Sequence, residues 1–552
     1  MESAHEQLEG KLIIGIDLGT TKSGVAVWDE AQGKAVLVAD ENGDDIIPSV
    51  VAWDRDANDW LVGKPAKALL AERPWDVAFS VKRFIGRAFS DRAVSAERAN
   101  VTYGLVGGAG SGELLSDVVV QFGRDAAGQQ QLDVPAISAK VLGQLRRTAA
   151  AALGRPLEEV VHAVVTVPAY FNLLQRKATV RAGELAGLHV VDILNEPTAA
   201  ALAHGDLLLK HGQRRVLVYD LGGGTFDISL LDVTSDPIGY LFDTVLIDGN
   251  THLGGDDIDM AVSRHIAAEI ERRYGHPVRS DDVLTRARIR LAAERAKILL
   301  TEADRTTIAL ERLELGSATP FDVSIELTRE QLDACAASVL QRASSITERA
   351  IRTIAGLDWS QVDEIVLVGG QTRMPAVQRS VAELTGKTPI VSERPQTAVA
   401  LGAATYGHIL SRGREKFQQN ALTNVIALAL GIRTNEDTFR KIVDANAAVP
   451  HKSREFPVTT LRDDQTEIEV EVFQGPADAT TVDQCIRLSS VRMEVPPAPA
   501  RQFRYDVSFE VQSDGTVRVT VTDPRRRRSE SLDIGERDIV VYKGESSAKP
   551  PT

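Results

Sequence analysis

Cysteine is nearly absent: Cys335 and Cys485 are the only two among 552 residues. Two thiols cannot build a disulfide framework, and with no CxxC pair or Cys/His cluster a zinc site of the usual spacing is excluded too. A reducing compartment, the cytoplasm, is the expectation. Long apolar runs are also missing. No stretch of about eighteen apolar residues occurs, and the segment MESAHEQLEGKLIIGIDLG lacks a basic region leading into an apolar one. Neither a membrane span nor an export signal is therefore expected. Positive charge is scarce, with 63 Lys and Arg against 77 Asp and Glu and a formal net charge of -14. That balance excludes broad affinity for nucleic acid or an anionic membrane, both of which need a clustered positive surface. What remains is ordinary for a soluble chain, 43% hydrophobic and 25% charged, and long enough for three or four structural units rather than one core.

The chain repeats itself. IIGIDLGTTKSGVAVWD over 13–29 and VLVYDLGGGTFDISLLD over 216–232 both read as strand, tight glycine turn, strand. Asp17 to Asp29 and Asp220 to Asp232 have identical spacing, and each segment opens Asp-Leu-Gly. A second pair, ELAGLHVVDILNEPTAAAL over 184–202 and ELTGKTPIVSERPQTAVAL over 383–401, recurs at a similar offset. A period this long repeats a whole lobe, not the stacking module of a solenoid or propeller. Helical patterns over 137–153, 174–186, 287–301 and 329–355 alternate with apolar strands, which gives a mixed α/β architecture. Two such lobes would set their glycine turns face to face across a cleft. Past Tyr406 the sequence turns polar and aperiodic, as a linker does. Short period-two runs follow, TEIEVEVF, YDVSFEVQ and TVRVTVTD, with Asp514-Gly515 as a hairpin signal, and they predict a small β-sandwich. The tail GESSAKPPT is expected to be disordered.

The glycines point to phosphate. Gly222, Gly223 and Gly224 carry no side chains, so successive backbone N–H groups can turn into one concavity, and Gly19 with Thr20 and Thr21 offers a second such turn with hydroxyl donors. Either alone reads as an ordinary hairpin turn; recurrence at matched spacing favours a two-sided grip on a polyphosphate. A triphosphate is handled with Mg²⁺, which prefers carboxylates and retained waters, and Asp17 and Asp220 stand at strand ends just before the turns. Glu196 and Asp227 are acidic candidates for positioning water, and Lys82 is a cationic one for developing charge. Taken singly, such residues are usually solvated surface. The only Gly-Lys-Thr, at 386–388, lacks the earlier glycine of a P-loop because Val381 stands there. GGAGSG over 107–112 does not fit GxGxxG.

Taken together, IGIDLGTT, VTVPAYFN, LNEPTAAALAHG, YDLGGGTFD and VLVGGQTRMP resemble, in order and spacing, the DnaK-type heat-shock chaperones of the Hsp70 family, within the actin and sugar-kinase superfamily. The resemblance spans about 11–407 strongly and the β region weakly. It implies a duplicated actin-like ATPase domain over 11–412 with two lobes around a nucleotide cleft, a linker over 413–425, a β-sandwich substrate domain over 426–543 and a tail over 544–552. It implies that Asp17 and Asp220 organise Mg²⁺ through water, that Thr20, Thr21, Lys82 and Thr225 contact phosphates, and that Glu196 and Asp227 manage the attacking water. Gly254, Gly255, Glu294, Lys297, Thr301, Gly369, Gly370 and Arg373 would frame sugar and base. Without the resemblance, Glu294 and Lys297 read as a solvent-facing i, i+3 helix pair. Pro168 and Arg176 match the family's relay between nucleotide cleft and substrate domain.

The function so implied is an ATP-dependent chaperone that hydrolyses Mg-ATP to ADP and phosphate to regulate unfolded or specialised client polypeptides in stress response and protein folding. A J-domain co-chaperone and a nucleotide-exchange factor would be its partners. A non-chaperone regulator, scaffold or exchange factor on the same fold is the alternative, and a small-molecule kinase the third. Several residues depart from the family pattern. Lys22 replaces a small polar residue beside the first turn, Arg394, Gln396 and Thr397 replace an Asn-Pro-Asp-Glu-like stretch, and Glu184 stands where a basic residue is common. The linker NALTN over 420–424 has Leu422 in place of a leucine-rich run, and Asn435, Glu436 and Asp437 would make a polar arch over a bound peptide. No helical lid follows the sandwich in this sequence, and Arg525 to Arg528 read as a solvated basic loop.

Overall fold

The computed structural model describes all residues except 1–7, 109–116, 125–128, 205–211, 237–238, 316–318, 393, 413–419, 435–436, 513–514, 526–527, 536–538 and 546–552. Most of the GGAGSG segment, Asn435 and Glu436 of the expected arch, Asp514 of the expected hairpin, two of the four arginines at 525–528, the first part of the expected linker and most of the expected tail lie outside the described residues. Two compact units result. One comprises Met1–Ala169, Ala178–Phe242 and Asp248–Ala421; the other comprises Tyr170–Lys177, Asp243–Ile247 and Leu422–Thr552.

The first unit is organised by two mixed sheets. In one, β1 (Ile13–Asp17), β2 (Lys22–Asp29), β3 (Lys34–Leu37), β11 (His162–Val167) and β12 (His189–Asn195) run in the order β12-β11-β1-β2-β3, with β4 (Ile46–Pro48) also on β2. In the other, β13 (Arg214–Leu221), β14 (Phe226–Asp236), β15 (Gly239–Asn250), β18 (Glu364–Val368), β19 (Ile390–Val391) and β20 (Asn420–Thr423) run β19-β18-β13-β14-β15-β20, with Asp243–Ile247 of β15 and the end of β20 from Leu422 counted in the second unit. In each, a central strand pairs parallel on one side and antiparallel on the other: β1 with β11 and β2, β13 with β18 and β14. The central strands IIGID and VLVYDL are apolar almost without alternation because both sheet faces are covered.

Small residues let those covers approach closely. A Cβ on Gly15 of β1 would lie 2.1 Å from the backbone of Ala404, and one on Gly402 would lie 1.7 Å from the carbonyl oxygen of Ala199. The Ala- and Gly-rich helix Ala398–Ser411 therefore lies directly on β1 and on the helix Glu196–Ala203. The helix Val134–Leu153 begins three residues before the expected 137, since Asp133 caps the Ala136 amide at 2.7 Å and Pro135 suits the first turn. The helix Arg329–Glu348 ends before the expected 355, widening into a π-type turn over Arg349–Ile354 from which Arg349 reaches the buried Asp248 at 2.8 Å.

Three smaller sheets complete the unit: β5 (Val50–Asp54) between β6 (Asp59–Val62) and β7 (Val77–Phe79); β9 (Val118–Phe122) between β8 (Gly104–Gly107) and β10 (Gln130–Asp133); and the hairpin of β16 (Arg305–Leu313) with β17 (Phe321–Thr328).

In the second unit, β21 (Ala429–Arg433), β22 (Phe439–Val443), β25 (Glu467–Gly475) and β26 (Ile486–Glu494) form a sheet ordered β22-β21-β25-β26. A further sheet joins β23 (His451–Lys452), β27 (Arg504–Val511), β28 (Val517–Asp523), β29 (Arg528–Ile534) and β30 (Ile539–Glu545), with β24 (Phe456–Thr459) on β27. The sheets meet where β26 packs beside β28 and β29. Strict alternation of burial along VRVTVTD matches this one-sided core. The β27–β28 hairpin closes with the Gly515 amide donating to Gln512 at 2.9 Å, and Gly515 takes the positive φ of 82° that the turn requires.

Candidate functional site

The two glycine turns of the first unit meet at their tips. β1 ends at Asp17 and β2 begins at Lys22; the chain between them is so tight that a Cβ on Gly19 would lie 2.1 Å from the Lys22 carbonyl oxygen. Ser49 braces this turn, its amide donating to Thr21 O at 2.9 Å and its hydroxyl to Gly19 O at 2.8 Å. β13 and β14 close the other turn, with the Gly222 amide donating to Thr225 O at 3.1 Å. A Cβ on Gly223 would come within 2.2 Å of the Thr21 side chain, and one on Gly224 within 2.4 Å of Thr20. Glycine is required by this contact between turns, beyond any demand of backbone φ. The start of the helix Gly255–Tyr274 docks on the same turn, since the amides of Gly255 and Asp256 donate to Gly222 O and Gly223 O at 3.0 and 2.7 Å.

A cavity of about 240 Å³ opens around these turns. Among the residues expected to bind nucleotide or metal, all line it except Gly224, Gly254 and Asp227. Gly224 is turned onto Thr20, and a Cβ on Gly254 would lie 2.6 Å from the Gly223 carbonyl, so both hold the wall together instead of facing the space. Asp227 is buried, 1% exposed, and stands opposite Asp220 across the β13–β14 pair.

One end of the cavity is acidic. Burial raises the Asp17 carboxyl to about 7, helped by the charge of Glu196 and opposed by Lys82 and a Thr166 hydroxyl. Burial likewise pushes Asp220 well above the carboxylate range, with Glu196, Asp227 and Asp17 adding to it. Lys82 is the local counter-charge: its Nζ donates to Glu196 Oε1 at 2.7 Å and to Leu18 O at 2.6 Å, with both side chains buried. Such a donor set suits Mg²⁺. Asp17 and Asp220 supply two carboxylates that a divalent cation would hold ionised.

The other wall carries charges of both signs. Glu294 and Lys297, a possible mutual pair by sequence, each bind elsewhere: Lys67 Nζ donates to both Glu294 oxygens at 2.7 and 2.6 Å, and Lys297 Nζ to Asp259 Oδ2 at 2.9 Å and Gly255 O at 3.1 Å. Burial raises Asp259 to about 6 against the pull of Lys297. Arg373 lies 3.7 Å from Glu302, and Thr301 closes the rim. Sequence reasoning missed Lys67, Asp256 and Asp259. For the two aspartates the signal was present, in the run GGDDID following the glycine pair; for Lys67 there was none. Arg83, next to Lys82, was also missed; it is buried and binds Glu97 at 2.9 Å and Asp257 at 2.6 Å, tying the segment that carries Lys82 to the helix behind the second turn.

The family model for the Hsp70 protein matches residues 13–544, nearly the whole chain. The chain belongs to the Hsp70 family. Hsp70 proteins are in general ATPases and ATP-dependent chaperones; they bind ATP and ADP with Mg²⁺ and act on unfolded polypeptides with co-chaperones. The family carries an actin-like ATPase fold, and the mixed α/β unit of this Hsp70 agrees with it. Among the described residues of this Hsp70, no helix is long and apolar enough to cross a membrane.

Proposed function

We propose that this chain is an ATP-hydrolysing Hsp70 chaperone, with residues 11–412 forming a duplicated nucleotide-binding domain, 413–425 a linker and 426–543 a β-sandwich that binds client polypeptide. The observation that carries this reading is the meeting of two glycine turns, two carboxylates and a buried Lys82–Glu196 pair in one cavity. The shared strand order of the two mixed sheets supports the duplication. Bound Mg²⁺ would supply charge neutralisation on the phosphates. The Gly19–Thr21 and Gly222–Gly223 amides and the Thr20, Thr21 and Thr225 hydroxyls would hold the phosphates, and Asp17 and Asp220 are the carboxylates that would hold the metal with its waters. Lys82 offsets charge that develops on the transferring phosphoryl group, and Glu196, oriented by Lys82, accepts a hydrogen bond from the attacking water. Asp227 positions Asp220 from behind. Glu294, Lys297, Thr301, Gly369, Gly370 and Arg373 frame sugar and base.

The second unit has sheet edges to which an extended polypeptide could pair. A J-domain co-chaperone and an exchange factor complete the proposed cycle, and the two unpaired cysteines support a cytoplasmic setting. Steady-state ATP turnover with and without an unfolded peptide tests the proposal. Mg²⁺-dependent phosphate release that rises with peptide is the expected result; a chain that releases no phosphate, or hydrolyses ATP with complete indifference to every unfolded peptide, contradicts it.

A further inference from the structure

Lys22 is the first residue of β2, immediately after the Gly19–Thr21 turn, and it lines the cavity. Its backbone is fixed on both sides, paired with Pro48 across β2 and β4 and packed against Gly19. Its side chain is exposed to the cavity. The neighbouring cations are committed: Lys82 to Glu196 and Leu18, Lys67 to Glu294, Lys297 to Asp259 and Gly255. The Lys22 side chain makes no hydrogen bond or ion pair within the described residues. Although the residue as a whole is exposed, partial burial of its ammonium against the cavity wall holds it below the usual lysine range; the charge of Glu294 opposes this, and Lys67, Lys297 and Arg373 add to it. With no side-chain partner of its own, the Lys22 ammonium is free to meet an anion bound in the cavity.

We propose that Lys22 is a built-in counter-charge for the phosphates of the bound nucleotide, one that retains ADP and ATP in the cavity when no divalent cation accompanies them. The inference rests on the nucleotide reading of this cavity. Lys22 stands between the first glycine turn and the wall of Glu294, Lys297 and Arg373, so it serves the phosphates nearest the sugar, which ADP and ATP share. Its contribution is greatest when the metal is withheld, because the metal then no longer neutralises those phosphates.

Calorimetric titration of ADP and ATP into the full chain, in Mg²⁺ and in EDTA, tests this with wild type, Lys22→Met and Lys22→Arg. In EDTA, Lys22→Met is expected to bind both nucleotides roughly tenfold more weakly than wild type, the size of one charge-assisted contact. The loss is smaller in Mg²⁺, and Lys22→Arg retains wild-type affinity in EDTA. Equal affinities for wild type and Lys22→Met in EDTA overturn the proposal. So does a loss confined to ATP, or an arginine variant as weak as the methionine one. Wild type that binds no nucleotide even in Mg²⁺ overturns the nucleotide reading itself, and this inference with it.

Discussion

Lys82 and Glu196 lie 114 positions apart and form one buried pair, so removing either partner strands a charge. Lys82→Ala is therefore expected to lower stability by about 3–5 kcal/mol as well as slow hydrolysis, and a thermal melt beside a turnover assay separates the two effects. Thr225→Ala is the cleaner probe. It should leave the melting temperature nearly unchanged and slow single-turnover hydrolysis at least tenfold, about 1.4 kcal/mol of barrier; a wild-type rate would remove Thr225 from the mechanism. His252 offers a pH test away from the cavity. Burial, then Arg87 and Arg83, push its imidazole down to about 3. The unfolded chain then takes up the proton first, so the stability present above the unfolded value near 6.5 is lost as pH falls below it. Between pH 6.5 and 5 wild type should lose about 2 kcal/mol more than His252→Gln in denaturant unfolding; parallel losses would refute the assignment. At this scale the strand ends at Asp17 and Asp220 and the glycine turns after them were legible, because they sit at matched spacing inside patterned strands. Lys67 was not, because its partner Glu294 is 227 positions away and a single lysine carries no local signal.

The glycine turns give the sharpest element-scale contrast. Gly223→Ala would thrust a methyl group to within 2.2 Å of Thr21 and part the two turns, so nucleotide affinity should fall at least tenfold with an unchanged circular dichroism spectrum. Gly143→Ala, in the middle of the helix Val134–Leu153, meets only an Arg147 nitrogen at 3.7 Å and should stabilise the chain by roughly 0.5–1 kcal/mol. Comparable melting and binding data for both variants would show that the turn glycines are not there for close approach. Strands and helices with clear periods were readable in the sequence. The start of the helix Val134–Leu153 was less so, since Pro135 resembles a breaker until Asp133 is seen to cap it. The pairing of β5 with β6 and β7 and that of β8 with β9 and β10 were not legible, because register between short strands is set by packing that one strand does not encode.

For the molecule as a whole, the mixed α/β class could be read from strands alternating with helical patterns, and the alternating runs announced the second unit's strands. The behaviour of the linker could not. Asn420–Thr423 forms β20 at the edge of the β13–β15 sheet, an attachment made through the backbone and so nearly silent in side-chain pattern. By sequence NALTN offers just one sizeable apolar residue, Leu422. Loss of about two leucine-sized contacts, roughly 1.5–3 kcal/mol each, is comparable to a whole coupling energy of about 1–3 kcal/mol. Unfolded peptide is accordingly expected to stimulate ATP turnover less than about fivefold, and replacing 420–424 with four leucines and an aspartate should raise that stimulation. Strong stimulation of the native chain, or none gained by the graft, would refute this account of the linker.

The central claim is that the cavity between the two turns binds Mg-ATP through Asp17 and Asp220. Calorimetric titration of ATP, with and without Mg²⁺, into wild type and the double variant Asp17→Asn, Asp220→Asn tests it most directly. The account predicts that Mg²⁺ strengthens binding to wild type and that this strengthening is lost in the double variant. An unchanged Mg-ATP affinity in the double variant would contradict it.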